Sequence, residues 1–86
     1  MALFVHKYGG TSVGSVERIQ HVAETVMAAR ARGEDVVVVV SAMSGETNKL
    51  VAFAKDAQAV PDPREMDVIL STGEQVTIGL LSMALL

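Results

Sequence analysis

A lysine and a glycine-rich turn near the start of the chain have the chemistry of a phosphate-binding site. Lys7 follows a short apolar run that predicts a strand over residues 2–5, and Gly9 and Gly10 come directly afterwards. Adjacent glycines let backbone N–H groups approach an anion closely, because no Cβ atom is in the way. A helix that begins after such a turn adds partial positive charge at its N-terminus. The stretch Lys7–Gly14 therefore predicts an anion cradle to which Lys7 adds a full charge.

The spacing of this stretch matches neither of the two common nucleotide-binding loops. The phosphate-binding loop has a lysine directly after its last glycine, whereas Ser15 follows Gly14 here. The dinucleotide fingerprint separates its first two glycines by one residue, whereas Gly9 and Gly10 are adjacent. On local spacing alone, an ordinary tight turn between strand and helix explains the stretch equally well.

A second polar stretch follows a buried strand that is predicted over residues 35–42. Ser41 lies at the end of that strand, and small hydroxyl residues come after it. Ligands of parallel sheets bind beyond the carboxyl ends of the strands, so Lys7 and Ser41 are expected to face one crevice. The alternative is that Ser44 or Thr47 only caps the next helix.

Glu74 is an acid placed between two apolar stretches. A carboxylate there has the charge to bind a cationic group of a ligand. Spacing alone favours a simpler interpretation, an exposed residue in the first turn of the last helix, where the helix dipole stabilises it. His6 and His21 have no neighbouring ligand residues at a suitable spacing, so no metal site is predicted.

The elements that must position these residues form a predicted α/β fold, a parallel sheet with helices on both faces. Five consecutive valines at residues 36–40 are typical of a central strand that is covered on both sides. An amphipathic helix over residues 15–32, with Ser15 as N-cap and Gly33 after its end, joins the two strands into a βαβ unit. Further helices are predicted over residues 48–59, 63–70 and 75–86, with an interruption or bend at 71–74. A capping box starts the second of these, formed by Asp62, Pro63 and Glu65.

Composition narrows the classes of protein. The 86 residues allow one domain at most, and the net charge of −3 argues against a nucleic-acid binder. There is no cysteine and no signal-peptide pattern, so a cytoplasmic location is expected. The apolar run over residues 76–86 is shorter than the roughly 20 residues that span a bilayer, so no membrane partner is expected. A helix that is apolar nearly all round belongs inside something larger, which predicts that the chain is the opening part of a longer one.

Three stretches in this order together resemble the N-terminal part of the aspartokinases, members of the amino-acid kinase family. They are Lys7–Ser12 (KYGGTS), Val39–Leu50 (VVSAMSGETNKL) and Leu70–Gln75 (LSTGEQ). The resemblance covers essentially the whole chain. It implies that residues 1–86 are the N-terminal portion of an amino-acid kinase domain and part of its αβα sandwich. The implied reaction transfers the γ-phosphoryl group of ATP to the β-carboxylate of L-aspartate, the first step toward lysine, threonine and methionine.

The resemblance also implies roles for individual residues. The ATP phosphates would be held by Lys7, Tyr8, Gly9 and Gly10, with Ser41 lining the same site. Lys7 would be catalytic, because it neutralises charge in the transition state. Aspartate would be bound by Thr47 and Glu74, with Glu74 contacting its α-ammonium group. ATP would enter as its Mg²⁺ complex, without a metal ligand from this chain, and the enzyme would be a cytoplasmic homo-oligomer.

Two departures from the family pattern are visible. The family often has Phe where Tyr8 stands, and its kinase domain continues far beyond Leu86. The missing part would carry most of the adenine pocket, so the 86 residues are expected to be inactive alone. Two other functions stay open at this point. One is an interaction module that self-associates through residues 76–86, and the other is a generic anion-binding module.

Overall fold

Two parallel strands joined by a helix form the centre of the fold. The structure is a computed structural model that describes residues 2–86; Met1 lies outside them. The order of elements is strand, helix, strand, helix, helix. Their bounds are β1 Leu3–Tyr8, α1 Val16–Ala31, β2 Asp35–Val40, α2 Glu46–Ala57 and α3 Pro63–Leu85.

The strands pair in parallel and in full register. Leu3 lies opposite Asp35 at one end of the ladder, and Tyr8 lies opposite Val40 at the other. The predicted parallel βαβ unit is therefore confirmed, but both strand boundaries differ from the prediction. β1 continues through the polar residues His6 and Lys7, since ladder pairing with β2 holds them in the strand although they are not apolar. β2 ends at Val40, where β1 no longer offers a partner.

Helices α1 and α3 cover one face of the sheet. The core joins the inner side of α1 to Leu81 of α3, and the alternate strand residues Val36, Val38 and Val40 pack against it. On the opposite face, Val5 is 66% exposed and Val37 is 48% exposed. The α/β class and the parallel sheet are thus confirmed. Within residues 2–86, α1 and α3 supply the helical cover of one face, and the face that carries Val5 and Val37 is open.

The predicted helix caps are present. The Ser15 side chain accepts a hydrogen bond from the Arg18 amide at 3.2 Å, and Gly33 adopts φ +84° just after α1. At α3 the Asp62 side chain accepts from the Glu65 amide at 3.1 Å. In a capping box the Glu65 side chain would accept from the Asp62 amide. Here that amide donates instead to the side chain of Gln58, which lies before the helix, at 2.8 Å.

The predicted break at residues 71–74 is wrong, because α3 runs as one helix of 23 residues. Ser71 and Thr72 donate their hydroxyls to carbonyls of the preceding turn, each at 2.7 Å. Such bonds give both hydroxyls a partner within the helix. Among residues 2–86, α3 is the one helix whose length and composition would allow it to cross a bilayer. The expectation based on the short length of the apolar run 76–86 therefore does not hold, because that run is part of a longer helix. In this structure it packs against α1 and α2.

We expect the isolated chain to self-associate through the open face of the sheet. Contiguous exposed apolar surface of this kind commonly marks a contact between polypeptide segments. Replacing Val5 and Val37 by Thr keeps side-chain shape and strand preference but lowers hydrophobicity, so this double variant is expected to sediment as a smaller species. Val60→Thr, at an 84% exposed valine outside the sheet, is the control. A wild-type chain that stays monomeric at high concentration in sedimentation velocity would contradict the expectation.

Candidate active site

The carboxyl ends of both strands meet at one edge of the sheet. Tyr8 and Val40 are the last paired residues, and the Ser41 amide then donates to the Tyr8 carbonyl at 3.2 Å. This hydrogen bond closes the ladder and sends the two following loops out from the same place. The two loops therefore leave the sheet side by side, as expected for a parallel pair.

The loop after β1 is a pair of tight turns. The Ser12 amide donates to the Gly9 carbonyl at 3.0 Å, and the Gly14 amide donates to the Thr11 carbonyl at 3.4 Å. Gly9 is open, since a Cβ atom there would meet nothing within 4 Å. A ligand can therefore approach the backbone at Gly9 without displacing any described residue.

The loop after β2 packs directly against this glycine turn. A Cβ atom at Gly10 would lie 3.3 Å from the Ala42 carbonyl oxygen and 3.7 Å from the Ser44 Cα. A Cβ atom at Gly14 would lie 3.4 Å from the Ser44 Cβ. Ser44 thus sits between two glycines of the first loop. These short distances show that Gly10 and Gly14 allow the two loops to pack closely, whether or not a ligand is bound.

Helix α2 starts inside the second loop, two residues earlier than predicted. Its N-cap is Gly45, at φ +85°, and no side chain caps its first turn. The alternative in which Ser44 or Thr47 serves as the cap is therefore wrong. Thr47 lies within the first turn of α2 and is exposed. An uncapped helix start leaves N–H groups and the positive end of the helix dipole available to an anion.

The third stretch reaches the site through Gly73. A Cβ atom there would lie 3.0 Å from the Ala42 Cβ and 3.4 Å from the Leu50 Cδ1. Gly73 is buried, whereas the adjacent Glu74 is exposed. Since α3 is continuous, Glu74 is a mid-helix residue, and its predicted place in a first helical turn is wrong.

The two charged residues predicted for the site have no ionic partner in the part of the chain that the structure describes. The salt bridges there join His21 to Glu24, Arg30 to Asp35 and Arg32 to Glu34. Lys7 and Glu74 belong to none of them, and both are exposed. An ammonium group and a carboxylate in this state remain available for groups of opposite charge.

Tyr8 is placed differently from Lys7. Its side chain packs against the core, on the α1 face of the sheet, and its hydroxyl lies 3.3 Å from His6 Nδ1. Side chains alternate between faces along a strand, so Lys7 points away from that face. Tyr8 also lines a cleft of about 280 Å³ with Arg18 and His21. At the strand end the Tyr8 backbone carbonyl accepts the hydrogen bond from the Ser41 amide.

Sequence reasoning missed the contacts that hold the three stretches together. Ala42 is buried between Gly10 and Gly73, and Ser44 touches both Gly10 and Gly14. The available signal is the run of small residues after the buried strand, which permits close packing as well as a polar loop. Residues 2–86 contain no group of three or more His, Asp or Glu side chains that would hold a metal ion.

Comparisons with known proteins place these features in a family. The model of the amino acid kinase family matches residues 2–86. An aspartokinase from Pseudomonas aeruginosa is 66% identical over 86 residues, which is 100% of this chain and 21% of that protein. Aspartokinase 2 from Bacillus subtilis is 59% identical over 85 residues, again 21% of its length. The chain therefore spans about a fifth of these relatives and aligns with their N-terminal part.

A solved structure has the same fold over this length. The crystal structure of aspartate kinase from Synechocystis superposes with a TM-score of 0.95 at 56% sequence identity. The match covers 98% of this chain and 14% of that one.

Alanine substitutions at Gly9 and Gly10 are expected to change the free energy of unfolding differently, because only Gly10 packs against the second loop. Gly10→Ala pushes a methyl group against backbone atoms of the second loop and is expected to cost about 1–3 kcal/mol of unfolding free energy. Gly9→Ala meets no atom within 4 Å, and neither residue has a positive φ, so it is expected to be neutral or slightly stabilising. Urea unfolding followed by circular dichroism measures both. Equal losses at the two positions would contradict this packing.

Proposed function

This chain belongs to the amino acid kinase family, and we propose that it is the N-terminal part of the catalytic domain of an aspartate kinase. The reaction transfers the γ-phosphoryl group of ATP to the β-carboxylate of L-aspartate. One observation carries the proposal: three separate stretches, KYGGTS, VVSAMSGETNKL and LSTGEQ, meet through Gly10, Ala42 and Gly73 at one edge of the sheet. The names and identities of the relatives supply the substrate class.

The ATP phosphates are assigned to the first loop. Gly9 offers an open backbone, Gly10 is next to it, and Lys7 lies one residue before the end of β1. Ser41 is assigned to the same site, because its amide donates to the Tyr8 carbonyl at the neighbouring strand end. Phosphoryl transfer depends mainly on positioning and on charge stabilisation, which are the two things these groups provide. ATP is taken to bind as its Mg²⁺ complex, and we assign the metal ion no ligand within this segment.

Aspartate is assigned to the second and third stretches. The uncapped start of α2, which contains Thr47, suits a carboxylate, because helix N-termini attract anions. Glu74 has no ionic partner among the described residues and suits the α-ammonium group of the amino acid. The two anionic reactants repel each other as they approach, so the Lys7 ammonium group is given the task of offsetting that repulsion. Tyr8 contributes through its backbone.

The wider setting follows from the same assignment. An enzyme of this kind works in the biosynthesis of lysine, threonine and methionine, in the cytoplasm and as a homo-oligomer. The 86 residues alone are expected to be inactive, since they span about a fifth of the relatives. The second candidate is a non-catalytic module that self-associates or binds anions. The exposed apolar residues of α3 favour it, among them Val76, Ile78 and Met83.

A chimeric enzyme tests the proposal directly. Residues 1–86 are joined to the remainder of the Pseudomonas aeruginosa aspartokinase, whose own N-terminal segment is 66% identical. The chimera is expected to release ADP from ATP only when aspartate is present, with the parental enzyme as reference. A folded chimera that binds ATP but is indifferent to aspartate would favour the anion-binding module instead.

Lys7→Ala in the chimera is expected to lower kcat by a factor on the order of 10²–10³, since it removes a preorganised charge that stabilises the transition state. The fold should survive, because Lys7 is exposed and no described salt bridge contains it. Lys55→Ala, in the last turn of α2, is the matched control and is expected to retain activity. Unchanged kcat in Lys7→Ala would remove the catalytic role.

Glu74→Gln is expected to raise the KM for aspartate roughly ten- to a hundredfold, the range for losing one hydrogen bond to a charged group. The KM for ATP should change little, because the first loop is untouched. Glu65→Gln makes the same substitution in the first turn of the same helix and serves as the control. Equal effects of the two variants on the aspartate KM would reject the assignment of Glu74.

A further inference from the structure

We propose that Gly73 is a positioning residue of this site, which sets where Glu74 stands relative to the strand ends. The inference rests on the proposed function, because it assigns an effect on aspartate to the glycine next to Glu74. Gly73 itself contacts no substrate. It acts through the distance between α3 and the loop after β2.

Gly73 lowers the stability of its own helix, so its presence is explained by a contact outside the helix. Glycine in a helix interior is destabilising relative to alanine. Gly73 lies in the middle of α3, and a Cβ atom there would be 3.0 Å from the Ala42 Cβ. This distance is tighter than nine in ten real Cβ contacts, so the helix or the loop would have to give way by a few tenths of an ångström. Gly79, six residues later in α3, would place its Cβ atom in open space.

Ala42 is fixed on the side that faces away from Gly73. If a methyl group is added at position 73, α3 is therefore the element that moves. Its carbonyl oxygen would lie 3.3 Å from a Cβ atom at Gly10, so the first loop already packs against it. The hydrogen bond from the Ser41 amide to the Tyr8 carbonyl ties the preceding residue to β1. Ala42 is therefore clamped between the strand end and the helix. A methyl group at position 73 displaces the helix turn that carries Glu74.

The contact between Gly73 and Ala42 thus links the two substrates of the proposed reaction. On one side of Ala42 lies the glycine turn assigned to ATP, and on the other side lies the helix assigned to aspartate. A shift of α3 changes the aspartate site and leaves the glycine turn in place. The expected signature is an effect on one substrate only.

Gly73→Ala in the chimera tests this. We expect kcat/KM for aspartate to fall about tenfold, since misplacement by about 1 Å can cost as much as 10²-fold and the shift here is smaller. The KM for ATP is expected to stay within about twofold, because groups that the change does not move contribute independently. A merely structural role would lower the amount of active enzyme and so reduce kcat, with both KM values unchanged.

Two further variants make the test decisive. Gly79→Ala makes the same substitution in the same helix without a contact, and it is expected to behave as the wild-type chimera. Adding Ala42→Gly to Gly73→Ala removes the methyl group that the new one meets, so most of the loss in kcat/KM for aspartate is expected to return. This recovery also supports the proposal if Gly73→Ala alone does not fold.

Three results would overturn the inference. They are an unchanged aspartate KM in folded Gly73→Ala, an equal effect of Gly79→Ala, and no recovery in the double variant. Each of these leaves the proposed function standing, because the wild-type chimera is active in all three. A folded wild-type chimera without aspartate-dependent activity overturns the proposed function, and the inference about Gly73 with it.

Discussion

In-register parallel pairing of β1 and β2 is the constraint on which the rest of the structure depends. Because Tyr8 lies opposite Val40, both strands end together, and the loops that follow them leave from the same edge. Parallel strands require a crossover, and α1 supplies it while covering one face of the sheet. A ladder with one strand shifted or reversed would carry Lys7 and Ser41 apart.

Close backbone contact turns this edge into one assembled unit. Gly10 and Gly14 let the second loop approach the first, and Gly73 lets α3 approach the second loop, so the buried Ala42 lies between small residues. Such contacts provide little apolar area and contribute by fixing distances. The charged groups Lys7 and Glu74 remain exposed and take part in no described salt bridge, which suits the ligand-binding roles proposed for them.

Local signals in the sequence predicted the elements that depend on local physics. Ser15 and Asp62 cap their helices, and Gly33 ends α1 with a positive φ, because each of these effects involves residues within one turn. Predictions failed where a distant partner decides. β1 extends through His6 and Lys7 because β2 pairs with them, and α3 passes through Gly73 unbroken, packed there against Ala42.

The sequence by itself determined the chemical types present: a lysine and two glycines after a strand, a hydroxyl-rich loop after the next strand, and an acid beside a glycine. Their order and spacing also led to the family, which the comparisons confirm. Only the tertiary structure decided which of these groups share a place. It packed the half-buried Tyr8 side chain against the core and brought Gly73 against Ala42. The second of these contacts joins residues 31 positions apart, and short-range patterns carry no information about such distances.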